Sequence, residues 1–331
     1  MCHNVFRGLV NLGNTCFINS VLQACYHSLD LKYRIEPCTV NNNDSLTLSE
    51  RISIELINVF TEMRNNESLP QAPVVPYRFV ELIKLDPRFT GSRQQDAAEF
   101  LQVLIEHLLC IDSKVLTRDE QLQTCGEMTN ITTCKTCGTI NRVTEHFNLL
   151  LLDLPMTPTS LSECISQLNT KESVDGINCD VCTTKQTKYK QSELSKLPDV
   201  LIIVLKRFAQ DTTKNGVIVD IPMGLNFHYP LTNNDNDGPI ESYSLHTIVD
   251  HNGTEASSGH YSTRCLIDHS IWYHIDDTRV HLQTGLLSLG SSSAYISIYK
   301  KQPSKLTPPI TQDLDNNNVS TVTDLLVPLS I

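Results

Sequence analysis

The chain has 331 residues, 40% of them hydrophobic and 19% charged, with a formal net charge of −11. These are globular values, enough for one large domain or two modest ones, and they exclude a disordered or collagen-like chain. The acidic balance argues against nucleic acid or an anionic membrane as main partner, and no apolar run approaches the roughly 20 residues that span a bilayer.

The N-terminus, Met1-Cys2-His3-Asn4, has no basic stretch followed by an apolar one, so a soluble intracellular protein, cytoplasmic or nuclear, is expected. Little precedes the first motif, so no targeting domain is expected there. Twelve cysteines in such a chain point to metal binding or chemistry rather than disulfides. Cys25, Cys110, Cys164 and Cys265 lie in apolar segments and read as small hydrophobes.

The first third reads as helical. Apolar residues recur at helical spacing over 15–28, 46–63, 77–85 and 93–110, with a polar connector at Asn41 to Asp44 and prolines 70, 73 and 76 as punctuation. From about residue 119 the pattern turns to strands. Val200 to Leu205 is a continuous apolar run, as in a strand buried on both faces. Further strands are expected over 243–249, 259–267, 271–275 and 294–299, with a solvated loop at Asn233 to Pro239 and a poorly ordered tail from 301 to 331. Helices first and strands after indicate an α+β fold.

Residues 8–23 carry the first chemical signal, Gly-Leu-Val-Asn-Leu-Gly-Asn-Thr-Cys-Phe-Ile-Asn-Ser-Val-Leu-Gln. Asn14 or Thr15 would cap a helix whose first turn holds Cys16, and the helix dipole there favours the reactive thiolate. Asn11 supplies an amide able to donate to a developing oxyanion, a role commonly worth about 3 kcal/mol. Read blandly, Asn11 and Asn14 are turn residues and Cys16 a buried thiol.

A thiolate nucleophile needs a histidine, and the histidine a partner. Ser258-Gly-His-Tyr-Ser and Ile271-Trp-Tyr-His-Ile-Asp-Asp277 read as the two strands of a hairpin. A three-residue turn, Asp268 to Ser270, puts Ile267 opposite Ile271 and His260 on the same face as Asp276. A two-residue turn puts Asp277 there instead. His251, in what reads as a polar loop, His269 in the turn and His274 on the shared face are the rivals of His260.

Cys134-Lys-Thr-Cys137 and Cys179-Asp-Val-Cys182 are two C-x-x-C pairs, a tetrahedral zinc set with no open position, hence structural rather than catalytic. In the block Gln94-Gln-Asp-Ala-Ala-Glu-Phe-Leu101, Ser92 and Gln95 read as a capping box and the apolar stripe as core.

Taken together these blocks resemble the ubiquitin-specific proteases. Residues 8–23 look like the family's cysteine box, and Gly259 to Asp277 like its histidine box. Gln94 to Leu101 and Leu201 to Phe208, ending Leu-Lys-Arg-Phe, are similar to two further blocks. Ile275 stands where the family often has phenylalanine, and the 251–258 loop is short and polar. The resemblance covers about residues 8–300. It implies a papain-like fold: a thumb over about 8–118, β fingers over about 119–190 bearing the zinc, and a palm over about 191–300. It implies thiol-dependent hydrolysis at the C-terminal glycine of ubiquitin, with Cys16, His260, Asp276 and Asn11 catalytic and Asp96 and Tyr261 contacting ubiquitin's arginine-bearing tail. Ubiquitin and ubiquitinated proteins are the implied partners of a monomeric enzyme. The alternatives are a catalytically silent ubiquitin-binding scaffold and a protease for another ubiquitin-like modifier.

Overall fold

A computed structural model describes residues 7–29, 46–64, 72–91, 93–109, 123–209, 213–228, 240–255, 258–267, 271–283 and 290–303. Its helices are α1 (Cys16–Ser28), α2 (Leu48–Arg64), α3 (Tyr77–Ile83), α4 (Ala97–Leu109) and α5 (Leu161–Gln167). Strands β1 (Gly126–Cys134), β2 (Ile140–Phe147), β3 (Leu150–Leu152) and β4 (Thr159–Ser160) precede α5. After it come β5 (Glu172–Cys179), β6 (Thr184–Lys196), β7 (Val200–Leu205), β8 (Val219–Asp220), β9 (Gly224–His228) and β10 (Ile240–Glu255). The last are β11 (Ser258–Ile267), β12 (Ile271–Asp276), β13 (Arg279–Leu282), β14 (Gly290–Ser291) and β15 (Ala294–Lys301). The architecture is α+β.

The main sheet runs β13-β12-β11-β10-β15-β7-β3, with β9 on β10. A separate sheet runs β2-β1-β6-β5, and the short β14, β8 and β4 form a third. The run at 200–205 is apolar throughout because both faces of β7 are covered. Val200, Ile202 and Val204 join the core under the helices of the first third, with Phe17, Leu22, Phe79 and Phe100. Leu201, Ile203 and Leu205 join a second core with Leu161, Phe227 and Trp272. Side chains alternate across a strand, so one strand ties two cores together.

Helix α5 lies inside the stretch read as strands. Its start is a full capping box: the Ser160 hydroxyl accepts from the Glu163 N–H at 3.2 Å and the Glu163 carboxylate accepts from the Ser160 N–H at 2.9 Å. The expected capping box of the 93–110 helix is corrected. The helix begins at Ala97, and the Asp96 carboxylate caps it, accepting from the Ala98 N–H at 2.7 Å and the Glu99 N–H at 3.1 Å. Gln95 precedes the helix and Ser92 lies outside the described residues. So do Cys110, the connector at 41–44, the loop at 233–239 and the turn at 268–270. Of the expected tail, Lys301 closes β15, and 304–331 lie outside the described residues. Cys25, Cys164 and Cys265 are buried, as apolar cysteines are. Among the described residues no helix is long and apolar enough to cross a membrane.

The Leu-Lys-Arg-Phe block has a structural explanation. Arg207 is 1% exposed, and burial draws its guanidinium down to about 10. It donates to the carbonyls of Ala294 (2.6 Å), Asn215 (2.9 Å), Val217 (2.9 Å) and Ser291 (3.0 Å), fastening the segment after β7 to the β14–β15 connection. Replacing Arg207 by Met strands these acceptors in a dry interior. The expected loss is about 3 kcal/mol or more, read as a fall in Tm of roughly 6 °C or more by calorimetry.

Candidate active site

The loop before α1 is organised by one side chain. The Asn11 Oδ1 accepts from the N–H of Gly13 (3.0 Å), the N–H of Thr15 (3.2 Å) and the hydroxyl of Thr15 (3.2 Å). The turn needs left-handed backbone at Gly13 (φ 96°) and Asn14 (φ 53°), which glycine and asparagine tolerate best. Thr15 stands at the N-cap, but its hydroxyl accepts from the Leu12 N–H at 2.8 Å and does not cap α1, contrary to the capping expected of Asn14 or Thr15. The helix then opens on Cys16, 3% exposed.

His260 lies on β11. The β11–β12 register sets Thr263 opposite Ile275 and Ile267 opposite Ile271, that of a three-residue turn. His260 Nε2 meets Asp276 Oδ1 at 2.5 Å. Asp277, the residue after β12, has left-handed backbone (φ 51°) and serves other partners. Its carboxylate accepts from Asn11 Nδ2 at 2.9 Å and Asn19 Nδ2 at 2.7 Å, and its carbonyl accepts from the Leu9 N–H at 2.9 Å. Two consecutive aspartates thus serve two partners: Asp276 holds the histidine, and Asp277 holds the loop and helix of the cysteine. The Thr263 hydroxyl also donates to the Ser20 carbonyl at 3.0 Å, seating α1 on β11.

The Cys16 thiol is pushed up from its ordinary value, and burial is the largest cause. The Asp277 charge pushes the same way. The backbone N–H groups of Tyr261, Phe17 and Cys16 pull it down without prevailing. This corrects the expectation that the helix start alone would favour a thiolate. A helix terminus contributes typically 0.3–1 kcal/mol, whereas desolvation moves buried groups by up to several units.

His251 is not in a loop. It is fully buried on β10, its ring centroid 5.1 Å from that of Phe208 and 4.6 Å from that of Tyr261. Burial, then the Lys214 charge, pushes it down to about 4, so it stays neutral near pH 7. The 251–258 stretch is correspondingly strand up to Glu255. His274 Nε2 lies 3.0 Å from the Ser262 hydroxyl, and His269 is outside the described residues. Tyr261 is 1% exposed, its ring between His251 and Tyr295, so it offers a ligand its backbone rather than its phenol. Asp96 Oδ2 accepts from the Tyr295 hydroxyl at 2.7 Å while Oδ1 caps α4. Ile275 is buried beside Cys265 and Ile267, where any apolar side chain of similar size serves.

Two polar side chains escaped the sequence reading. Asn19 is 2% exposed, and a polar side chain so buried needs a fixed partner. Gln94 belongs to a block read as packing, yet its Nε2 lies 3.8 Å from Cys16 Sγ.

The four paired cysteines converge. The sulfurs of Cys134, Cys137, Cys179 and Cys182 lie within 4.8 Å of one another, a set that could hold a metal ion. The Cys134–Cys182 and Cys137–Cys179 separations are 3.9 and 3.6 Å. Both pairs sit at the tip of the four-stranded sheet, where β1 and β5 flank β6. Each turns back tightly, with Gly138 (φ 72°) and Thr183 (φ 57°) in left-handed backbone. The Thr139 hydroxyl and N–H draw the Cys137 thiol down to about 6, and that charge makes Cys182 harder to ionise.

Residues 7–299 match the family model described as ubiquitin carboxyl-terminal hydrolase. The chain is similar to ubiquitin carboxyl-terminal hydrolase 48 of Danio rerio, 29% identical over 325 residues that cover 91% of this chain and 30% of that protein. It is similar to ubiquitin carboxyl-terminal hydrolase 20 of Arabidopsis thaliana, 29% identical over 313 residues, 90% of this chain and 44% of that protein. The chain therefore spans less than half the length of these two relatives. A chain of the SAGA DUB module Ubp8/Sgf11/Sus1/Sgf73 bound to monoubiquitin has the same fold, with a TM-score of 0.73 at 26% identity over 91% of this chain and 70% of that one.

The two aspartates make a test of the electrostatics. Asp277 disfavours the Cys16 thiolate, so replacing it by Asn lowers the thiol pKa. The pH profile of iodoacetamide alkylation, read on the Cys16 peptide by mass spectrometry, is expected to move to lower pH.

Proposed function

The chain belongs to the ubiquitin carboxyl-terminal hydrolase family, and from that premise we propose that it hydrolyses isopeptide or peptide bonds at the C-terminal glycine of ubiquitin. The observation that carries this reading is the fastening, through Asp277, of the helix that bears Cys16 to the hairpin that bears His260 and Asp276. Ubiquitin and ubiquitin-bearing proteins are the substrates of this reading.

With His260 Nε2 on Asp276, Nδ1 is the nitrogen left to take the proton of the Cys16 thiol. The sulfur attacks the glycine carbonyl. The negative charge on that oxygen is met by Asn11, whose amide has one hydrogen on Asp277 and a second to give, and by backbone N–H groups at the start of α1. His260 returns its proton to the leaving lysine amine, and the C–N bond breaks. A water, deprotonated by His260, then cleaves the thioester and restores the thiol. Asp96 retains acceptor capacity for an arginine of the ubiquitin tail, and Tyr261 would line that tail with its backbone.

The four cysteines suit zinc. Tetrahedral Zn–S bonds of about 2.3 Å put sulfurs roughly 3.8 Å apart, against the 3.9 and 3.6 Å above. Four thiolates leave no position for a reacting water, so the ion's contribution is to hold the tips of β1 and β5 around β6.

Ubiquitin carrying a C-terminal electrophile is expected to form one covalent adduct with the wild type and none with Cys16→Ala, by intact-mass spectrometry. Absence of an adduct from the folded wild type overturns the reading. Asp276→Ala is expected to lower kcat by roughly a hundredfold or more on a fluorogenic ubiquitin substrate, since the imidazole loses the partner that fixes its tautomer. Elemental analysis is expected to find one zinc per chain, and Cys134→Ser to lose both the ion and several degrees of Tm.

A further inference from the structure

The thiolate that this chemistry needs is poorly provided for. Cys16 is 3% exposed, its burial disfavours a charge, and the Asp277 carboxylate opposes it. Among the described residues, the side chain that donates to its sulfur is that of Gln94, with Nε2 at 3.8 Å. The position of Gln94 is fixed from below. Two residues on, Asp96 is locked by the N–H groups of Ala98 and Glu99 and by the Tyr295 hydroxyl, so the chain entering α4 has little freedom beside α1. Gln94 itself is half-buried, so its amide works where solvent screens little.

We infer that Gln94 is a catalytic residue: its side-chain amide is a hydrogen-bond donor to the Cys16 sulfur that stabilises the thiolate. The thiolate forms twice in each turnover. It forms when the Cys16 proton passes to His260, and again when the thioester collapses and the sulfur leaves with the bonding pair. A donor on the sulfur favours both events. Gln94 and Asp277 are then opposing settings of one property: the amide favours the ionised sulfur and the carboxylate disfavours it.

The inference rests on Cys16 as nucleophile, and its test separates from that of the deubiquitinase reading, because alkylation needs no ubiquitin. The full chain is treated with iodoacetamide between pH 5 and 10, and the rate is read on the Cys16 peptide, with the exposed Cys125 as reference in the same digest. Gln94→Leu removes the donor at similar volume, and Gln94→Glu keeps the shape but adds a repelling charge. The Cys16 profile is expected to move to higher pH in Leu and further in Glu, with alkylation at pH 7 slowed roughly three- to tenfold in Leu. On a fluorogenic ubiquitin substrate kcat is expected to fall similarly and KM to stay within about twofold. An unmoved profile in both variants, or a profile moved to lower pH, overturns the inference. A fall in activity through KM alone would likewise make Gln94 a substrate contact and not a donor to sulfur. Should the Leu variant fail to fold, the Glu variant decides by the same profile.

Discussion

The Asp277 carboxylate is the fastening on which the site depends. It bridges side chains 266 and 258 residues away in sequence, Asn11 and Asn19, and its carbonyl takes the Leu9 N–H. Cys16 and His260 lie on different layers of the fold, so their relative placement must be imposed by contacts between layers. A carboxylate accepting from two amides is a directional, charge-assisted joint, stronger than a neutral hydrogen bond and stricter than apolar packing. Asp277 does this from left-handed backbone just after β12. Gly8 completes the joint, because a Cβ there would stand 2.4 Å from the Asp277 carbonyl oxygen. A side chain at that position would push the two layers apart.

The sheet makes the joint rigid. Strands β7, β10 and β15 carry apolar side chains on both faces, one face toward the helices of the first third and the other toward the core of Leu161 and Trp272. A strand packed on both sides cannot slip register without exposing one core and crowding the other. His260 and Asp276 belong to the hairpin that continues this sheet, so their 2.5 Å contact inherits its register. The same logic explains the polar residues buried with it. Arg207 satisfies four carbonyls, two at the ends of β14 and β15 and two in the segment before β8, and Arg264 holds Asp250 by two bonds of 2.6 and 2.8 Å. The Arg264–Asp250 pair lies on the adjacent strands β11 and β10, inside the sheet.

Much of this was legible in the sequence because the signals were periodic. The helices of the first third, the run at 200–205 and the β11–β12 hairpin each follow from spacing, but parity left Asp276 and Asp277 open until the register set Ile267 opposite Ile271. The failures share a cause. His251 sits among polar residues, Asn252, Gly253 and Thr254, so local composition read as loop, yet long-range pairing carries β10 through Glu255. Helix α5 spans only seven residues, too short for a period to show, although Ser160 and Glu163 announced its start. At the helix of 97–109 two cap signals overlapped, and the aspartate nearest the apolar stripe was the one used. Asn19 and Gln94 act across the fold, on Asp277 and Cys16, and no local pattern marks a partner so distant in sequence.

The thiol shows most plainly where sequence reasoning reverses sign. A cysteine in the first turn of a helix argues for a thiolate, but the argument assumes that the rest of the surroundings are neutral. Here α1 is buried almost throughout, and the residue that fastens the site also brings a negative charge to the sulfur. Joint and charge sit in one group, since the carboxylate that accepts from Asn11 and Asn19 also disfavours the Cys16 thiolate. The site therefore holds its geometry with a group that works against ionisation of Cys16. The thiolate then depends on donors near the sulfur, which are the backbone N–H of Tyr261, the first turn of α1 and the amide of Gln94. Tyr261 follows His260 on the same strand, so the hairpin that carries the histidine also supplies part of the compensation.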